Sequence, residues 1–186
     1  DLLSATFNPD FSQVEVDEAQ IAINNDFSLF FPEKRQFFLS NQSYFDSFYN
    51  LLHTRNIVAP DFGTKYTRRK NAHTFAALVA NDEGTSLIIP GNIGSVVTRL
   101  EESSVNAALR YRYDYGNDSS LGLTSTLRES DHYHNYLIGF DGNYRFNDST
   151  AVRWHILATD TQYPDYLAAQ LCNCLLYTSP SPRDGI

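Results

Sequence analysis

Four segments within residues 104–159 alternate between apolar and polar side chains, and each ends in a turn. Successive side chains leave a β-strand on opposite faces, so this period of two predicts strands with one apolar and one polar face. The linkers, at residues 116–118, 130–132 and 147–149, are short and rich in turn-forming residues. The pattern therefore predicts an antiparallel meander.

The predicted strands are about 10–13 residues long, whereas strands of soluble proteins usually have about 5–6. At roughly 3.3 Å per residue and a tilt of about 40°, such a strand crosses a hydrocarbon layer about 25 Å thick. Aromatic residues near the strand ends suit the boundary between water and lipid. They are Tyr113, Tyr115, Tyr136, Tyr144 and Phe146. We predict an all-β fold, an antiparallel meander that forms an incomplete transmembrane β-barrel, with an irregular N-terminal segment.

The polar side of the alternation contains charged residues of both signs, which suits a wet lumen. Opposite charges on a pore wall would set up a transverse field across the pore. The residues predicted to face this lumen are Arg110, Arg112, Asp114, Arg128, Asp141, Arg145 and Arg153. A soluble sandwich or barrel with long strands remains an alternative on the pattern alone.

Length and composition limit the other possibilities. The chain has 186 residues, enough for one domain or a piece of a larger protein. Its formal net charge of −8 argues against a nucleic-acid partner. No apolar run approaches the roughly 18 residues of a membrane helix, so any insertion must use strands. The chain begins at Asp1, and we interpret it as starting within a protein, so the lack of an export signal says nothing about location.

The C-terminal stretch CLLYTSPSPRD, residues 174–184, resembles the conceptual translation of an adaptor used in sequencing libraries. We expect residues 174–186 to be read-through, and residues 171–186 to form a non-native or disordered tail. Cys172 and Cys174 then predict neither a metal site nor a redox pair.

The most unusual stretch is FFPEKRQFFL, residues 30–39. Pro32 fixes its own φ and favours an extended Phe31, which predicts a rigid turn and not a helix interior. Charges between aromatic pairs suggest packing against protein, with Glu33 paired to Lys34, to Arg35 or to a more distant partner. The stretch is either a plug inside a lumen or a structural corner between domains. Its structural motif comprises Phe30, Phe31, Pro32, Glu33, Lys34, Arg35, Phe37 and Phe38.

Five motifs occur in an order and spacing typical of one family: NPDFSQVEVD, FFPEKRQFFL, LLHTRNI, IPGN and DTQYP. The chain resembles a domain-of-unknown-function family of Gram-negative outer-membrane β-barrel proteins. Its members usually have a family-nine carbohydrate-binding-like domain before the barrel. The resemblance covers roughly residues 1–164 and implies an outer-membrane location, lipid as a partner, and contact with oligosaccharide through an upstream domain. It implies no established activity.

The sequence divides into three parts: a junction or plug-like segment at residues 1–62, barrel strands at 63–170, and the tail. A short strand is expected around Leu3, Ala5 and Phe7, and a second around Val14 and Val16. Residues 63–69 and 73–81 should form a hairpin, residues 81–94 a long loop, and residues 95–100 a strand. Spacings of three and four among Phe45, Phe48 and Tyr49 suggest one helical turn or a loop across the lumen.

Catalytic and metal-binding patterns are weak. No carboxylate pair, G-x-S-x-G elbow, phosphate loop or dinucleotide fingerprint stands out. His132 and His134 have a spacing that would allow a shared metal, but no third ligand is nearby. An acidic cluster at Asp10, Glu15, Asp17, Glu18 and Asp26 lacks the spacing of a calcium loop. We predict no catalytic residue, metal or cofactor in this stretch.

Three functional hypotheses remain. The first is an outer-membrane barrel that acts as a channel, transporter or anchor linked to carbohydrate binding. The second is a surface protein that binds or processes carbohydrate and uses the barrel only as an anchor. The third is a soluble β-sandwich or barrel that serves as a binding module.

Overall fold

The computed structural model describes residues 1–9, 33–57, 59–90, 95–100, 102–116 and 118–165, with backbone only at 85–90 and 95–100. These residues form an all-β fold with one short helix, α1 (Gln36–Leu39), and two 3₁₀ turns, Gln42–Phe45 and Thr54–Asn56. The strands are β1 (Leu2–Phe7), β2 (Pro60–Lys70), β3 (His73–Asp82), β4 (Thr85–Pro90), β5 (Ser95–Leu100), β6 (Ser104–Asp114), β7 (Ser120–Glu129), β8 (His134–Asn147) and β9 (Thr150–Gln162).

Seven of these strands form one antiparallel sheet in the order β1-β2-β3-β6-β7-β8-β9. The antiparallel meander predicted from the alternation is confirmed, and β6 to β9 are 10 to 14 residues long. Strands β1 and β9 are the two edges of this sheet. The first strand predicted from the sequence is therefore part of the same sheet as the later strands, and β2 already begins at Pro60.

Strands β4 and β5 pair only with each other and form a separate hairpin between β3 and β6. The prediction of a loop at residues 81–94 is wrong for residues 85–90, which are strand β4. The prediction gave too much weight to Gly84, Pro90 and Gly91. The apolar run at residues 87–89 has high β-propensity, and its backbone pairs with residues 96–98.

The turn between β2 and β3 contains only Asn71 and Ala72. Asn71 has a φ of 53°, in the left-handed region that asparagine tolerates better than most residues. The hairpin predicted around these residues is confirmed, and it brings Lys70 opposite His73.

The sheet has two distinct faces. On the first, which we call the bare face, Tyr113, Phe140 and Trp154 are 36%, 47% and 40% exposed. The division of apolar and polar side chains between faces follows the alternation in the sequence. The bare face of β6, β8 and β9 comprises Val105, Ala107, Leu109, Tyr111, Tyr113, Tyr136, Ile138, Phe140, Tyr144, Phe146, Val152, Trp154, Ile156 and Ala158.

The opposite face, the covered face, has the polar side chains of the same strands and packs against residues 33–57, which we call the docked segment. A small buried apolar cluster joins the two. From the docked segment come Phe38 and Ile57, and from the sheet Leu78, Ala80 and Ala108, with Phe37, Phe45 and Leu52 packed around them. The small side chains of Ala80 and Ala108 let the segment approach the strands closely.

At Gly63 on β2, the docked segment lies directly against the backbone of the sheet. A Cβ atom at this position would lie 2.9 Å from Cε1 of Phe37, so the Phe37 ring fits there only because glycine has no side chain. Glycine in a strand often marks such a site. This contact holds α1 against the β2 end of the sheet.

Candidate functional site

The covered face contains a buried ion pair between β6 and β8. Arg110, 2% exposed, donates hydrogen bonds from Nη1 to Oδ1 of Asp141 and from Nη2 to Oδ2, the second at 2.9 Å. Its Nη1 also donates to the Thr124 hydroxyl of β7, at 2.8 Å. Arg110 thus reaches across the whole of β7, in the bidentate geometry that guanidinium and carboxylate groups favour.

Gly122 leaves room for this pair. In the register of the sheet it lies between Arg112 of β6 and Asp141 of β8. A Cβ atom there would lie 2.6 Å from both Nη atoms of Arg110 and from Oδ2 of Asp141. The ion pair therefore lies over the backbone of β7.

A second buried pair lies where the docked segment leaves the sheet. Arg128 Nη2 is 3.8 Å from Oδ2 of Asp82 and donates to the carbonyl of Asn56 at 3.1 Å. Oδ1 of Asp82 accepts a hydrogen bond from the backbone of Ala59 at 2.7 Å. The pair therefore fixes the end of the docked segment to β3 and β7.

Two charged residues of the FFPEKRQFFL motif, Glu33 and Arg35, form an ion pair. Arg35 Nε and Nη2 each donate to Glu33 at 2.8 Å, and Nη2 also donates to the carbonyl of Thr54 at 2.8 Å. The Thr54 hydroxyl donates to Glu33 at 2.7 Å, and the Arg35 guanidinium lies 4.4 Å from the ring centre of Phe38. Of the partners considered for Glu33, the structure selects Arg35. The pair joins the two ends of the docked segment.

The Glu33 carboxyl has a lowered pKa. Burial by itself would raise the pKa of this group. The hydrogen bonds from the Arg35 side chain, the Thr54 hydroxyl and the Arg35 backbone, together with the positive charge of Arg35, outweigh burial and favour the carboxylate.

Lys65 of β2 holds the start of the docked segment. Its Nζ donates to the carbonyls of Phe37 and Ser40, which end α1, and to the Ser40 hydroxyl at 2.9 Å. Asn41 donates to the Thr67 hydroxyl at 3.1 Å. An ammonium group beside the last carbonyls of a helix satisfies acceptors that the helix itself leaves open.

A cleft of about 470 Å³ lies between residues 46–49 and the β6–β9 side of the covered face. Tyr49 stacks on His155 of β9, with ring centres 4.9 Å apart, and Phe48 packs edge-on against Tyr49 at 4.9 Å. Arg110, Arg112, Asp141 and Arg153 contribute to the cleft walls. The helical turn considered around Phe45, Phe48 and Tyr49 ends at Phe45, and residues 46–49 are irregular.

All seven residues predicted to face a lumen lie on the covered face. The structure joins Arg110 to Asp141, Arg112 to Asp114 at 2.8 Å, and places Arg145 3.3 Å from Asp118. Arg153 contacts Asn143, while Arg128 lies at the other end of the face, near Asp82. These residues therefore form several separate pairs.

Several residues of the motif and its surroundings lie outside the described part of the chain. These are Phe30, Phe31 and Pro32, the strand predicted around Val14 and Val16, the acidic cluster from Asp10 to Asp26, and the tail with Cys172 and Cys174. Glu33, Lys34, Arg35, Phe37 and Phe38 are described, and four of the five take part in the contacts given above.

The site residues predicted from the sequence do not include Lys65, Asp82, Gly122 or His155. Lys65 and Asp82 occupy polar-face positions of β2 and β3, where the alternation is interrupted by small residues. Of these four residues, Gly122 could have been identified from the sequence, because a glycine within a strand often indicates the close approach of another group. The stacking partner of His155, Tyr49, lies more than one hundred residues earlier in the chain, so no local pattern indicates the contact.

The two neighbouring histidines do not converge. His132 Nδ1 is 3.0 Å from Glu102, whereas His134 Nε2 is 3.3 Å from Asp160 and its ring stacks on Tyr136. Within the residues that the structure describes, no three His, Cys, Asp or Glu side chains are grouped as metal ligands. Among those same residues, there is no helix of the length and hydropathy needed to cross a membrane.

Comparison with known proteins gives no relative. No protein-family model, curated protein or solved structure matches the chain.

Proposed function

We propose that this chain is part of an outer-membrane β-barrel protein, in which lipid contacts the bare face and the docked segment occupies the lumen side. One observation supports this most strongly: the sidedness of the sheet. Apolar side chains such as Phe140 and Trp154 are exposed, while charged groups such as Arg110 are buried. In water this arrangement is unfavourable, because apolar surface is exposed to solvent while charged groups are removed from it. Large exposed apolar patches are accordingly rare on soluble monomers. In lipid it is the normal one.

The aromatic residues of the bare face support the same proposal. At the end of the sheet with the β2–β3 turn, the rings of His73 and Tyr113 stack at 4.8 Å, Tyr113 and Tyr115 at 6.0 Å, and Tyr115 and Tyr144 at 6.3 Å. Phe146 extends the row, 4.6 Å from Tyr144. We call this row the aromatic belt. Such girdles mark the level of the lipid headgroups in outer-membrane barrels.

The lengths of the connections suggest an orientation. At the aromatic-belt end, residues 71–72, 115–119 and 148–149 join the strands. At the other end, residues 8–59 join β1 to β2 and residues 83–103, with the β4–β5 hairpin, join β3 to β6, while a short turn at residues 130–133 joins β7 to β8. Two of the three connections at this end are therefore long. Outer-membrane barrels have short periplasmic turns and long extracellular loops, so the aromatic belt would lie on the periplasmic side.

A plugged barrel fits the covered face better than an open pore. The docked segment lies against β2, β3, β6 and β7 through the apolar cluster, Lys65 and Arg128. The cleft beside it, near β8 and β9, is the open part of that face. Channel, transporter and anchor remain the candidate activities. A link to carbohydrate would depend on an additional domain.

Trp154 provides a direct experiment, because it is the single tryptophan of the chain and lies on the bare face. The chain would be folded from urea into phosphatidylcholine vesicles, with and without bromine on the acyl chains. If lipid contacts the bare face, brominated lipid quenches the fluorescence of Trp154, and aqueous iodide does not.

A matched control moves the indole to the neighbouring position of the same strand. Trp154→Phe combined with Arg153→Trp places the ring on the covered face, where iodide should quench it and brominated lipid should not. Quenching of Trp154 by iodide, with no effect of brominated lipid, would argue that water or protein contacts the bare face and would contradict the proposal.

A further inference from the structure

The cleft between residues 46–49 and the sheet has the size and lining of a small-molecule site. Its volume of about 470 Å³ lies within the range of pockets that bind small organic ligands. One wall comes from the irregular residues after the first 3₁₀ turn, and the other from the covered face of β6 to β9. It exists on the covered face whichever medium contacts the bare face.

The register of the sheet sets the arrangement of the charged groups. Arg112, Gly122, Asp141 and His155 form one row across four strands. The next row includes Asn143 and Arg153. Arg112 on β6 and Arg153 on β9 are separated by three strand spacings of about 4.8 Å, roughly 14 Å between backbones, and both long side chains line the cleft.

The carboxylate at the floor of the cleft is already neutralised. Both oxygens of Asp141 accept hydrogen bonds from Arg110, so this aspartate has little capacity left for Arg112 or Arg153. Arg112 uses its Nε for Asp114 at 2.8 Å, and Arg153 uses its Nε for the neutral amide of Asn143 at 3.4 Å. Within the described residues, the terminal nitrogens of both exposed arginines make no hydrogen bond, and they can bind an oxyanion.

The lining of the cleft is richer in positive charge than the protein as a whole. Three arginines and two aspartates, Asp46 and Asp141, line the cleft, whereas the whole chain has a formal net charge of −8. Guanidinium groups recognise carboxylate and phosphate groups through their N–H donors. Arg112 is paired with Asp114 through Nε only, so its two terminal nitrogens are the donors that such a ligand would meet. An anion is therefore the kind of ligand that these walls attract.

The rest of the cleft lining suits the aromatic ring of a ligand. Phe48 and Tyr49 are 58% and 53% exposed although they flank the cleft, so part of each ring is open to a ligand, while one face of Tyr49 stacks on His155. Both ring nitrogens of His155, beneath Tyr49, are buried without a hydrogen-bond partner in the described chain. An imidazole ring has at least one N–H donor, so a polar ligand group that reached beneath Tyr49 would meet an unused hydrogen-bond partner there.

We infer that this cleft binds a small organic oxyanion, a carboxylate or a phosphate ester, whose ring packs on Phe48 and Tyr49 and whose charge contacts Arg112 and Arg153. Two probes separate the two anion types: benzoate and phenyl phosphate. Benzyl alcohol is the neutral analogue.

Isothermal titration of the full chain in a non-ionic polyoxyethylene detergent tests the inference. We expect saturable binding of benzoate or phenyl phosphate and no binding of benzyl alcohol. Arg112→Gln and Arg153→Gln should each weaken binding at least about tenfold, the loss expected when a hydrogen bond to a charged group is removed. Tyr49→Ala should also weaken binding, whereas Arg68→Gln, on the bare face and paired with Asp1, should not.

The outcomes are distinct. Arg112 and Arg153 are exposed, so their glutamine variants should fold, and far-UV circular dichroism checks this. If neither anion binds, if benzyl alcohol binds equally well, or if the two arginine variants bind as tightly as the parent chain, the inference is wrong. None of these results bears on the lipid contact tested with Trp154.

Discussion

Arg110 on β6 reaches across β7 to Asp141 on β8, and its Nη2 lies 2.9 Å from Oδ2 of that carboxylate. The guanidinium is almost completely buried, and the carboxylate is 15% exposed. The pair links two strands that do not hydrogen-bond to each other. It is therefore one of the contacts that hold the covered face together.

Removing the carboxylate should destabilise the sheet strongly. Asp141→Ala leaves the buried Arg110 without a counter-ion, a change that typically costs about 3–5 kcal/mol of unfolding free energy. Replacing both partners, as Arg110→Met with Asp141→Leu, should cost much less, because no charge is then left buried. Urea unfolding of the detergent-folded chain measures both variants.

A surface pair provides the comparison. Asp118 is 78% exposed and lies 3.3 Å from Arg145, so Asp118→Asn should change stability by less than about 1 kcal/mol. Asparagine is the replacement because Asp118 has a φ of 52°, which asparagine tolerates and alanine does not. If Asp141→Ala is as mild as Asp118→Asn, the Arg110–Asp141 pair does not contribute as the structure suggests.

Gly122→Ala should disturb the Arg110–Asp141 pair, which lies over the backbone of Gly122. The new methyl group would lie 2.6 Å from both Nη atoms of Arg110, so the guanidinium must move, at a cost of about 1–3 kcal/mol for an overpacked site. Ser125→Ala, on the other face of β7, is the control. In the Arg110→Met, Asp141→Leu background, the effect of Gly122→Ala should shrink, because the crowded groups are gone. An unchanged effect in that background would indicate a backbone cause.

Docking of residues 33–57 should weaken in acid. The folded-state pKa of Glu33 is below its ordinary value of 4.5, so its contribution to stability is complete above that value and is lost as the pH falls through the lower, folded-state pKa. Glu33→Gln should remove this part of the pH dependence. The measurement is the urea midpoint between pH 7 and pH 3, and an identical pH profile for both chains would contradict the assignment.

Lys65 should control whether the docked segment stays closed. Lys65→Gln removes the ammonium group that binds the carbonyls of Phe37 and Ser40, so α1 should detach more often. Trypsin should then cut faster after Lys34 and Arg35. Lys70→Gln, at the exposed end of β2, is the control and should leave the cutting rate unchanged. Equal rates for all three chains would show that Lys65 does not anchor the segment.

The proposed orientation predicts a labelling pattern in cells. With Cys172 and Cys174 replaced by serine, a cysteine at Ala72 reports on the short-turn end and one at Asp131 on the opposite end. When the chain is exported to the outer membrane of a Gram-negative host, a membrane-impermeant maleimide should label Asp131→Cys and not Ala72→Cys. The reverse pattern would show the opposite orientation.

Much of the sheet was predictable because strand alternation is a local property. The division of Tyr113, Phe140 and Trp154 from Arg112 and Asp141 depends only on their odd or even positions along each strand. The turns at Asn71 and at residues 148–149 depend on neighbouring residues. The same reasoning failed at residues 85–90, where glycine and proline suggested a loop and the backbone forms β4.

The sequence by itself determined the strands of the seven-stranded sheet and which side of each is apolar, because these follow from the local period of two. Only the tertiary structure decided what lies against the polar side. Arg110 binds Asp141 across an intervening strand, and Tyr49 stacks on His155, which lies more than one hundred residues later in the chain. Such contacts depend on register and on the path of the docked segment, and no local pattern specifies either.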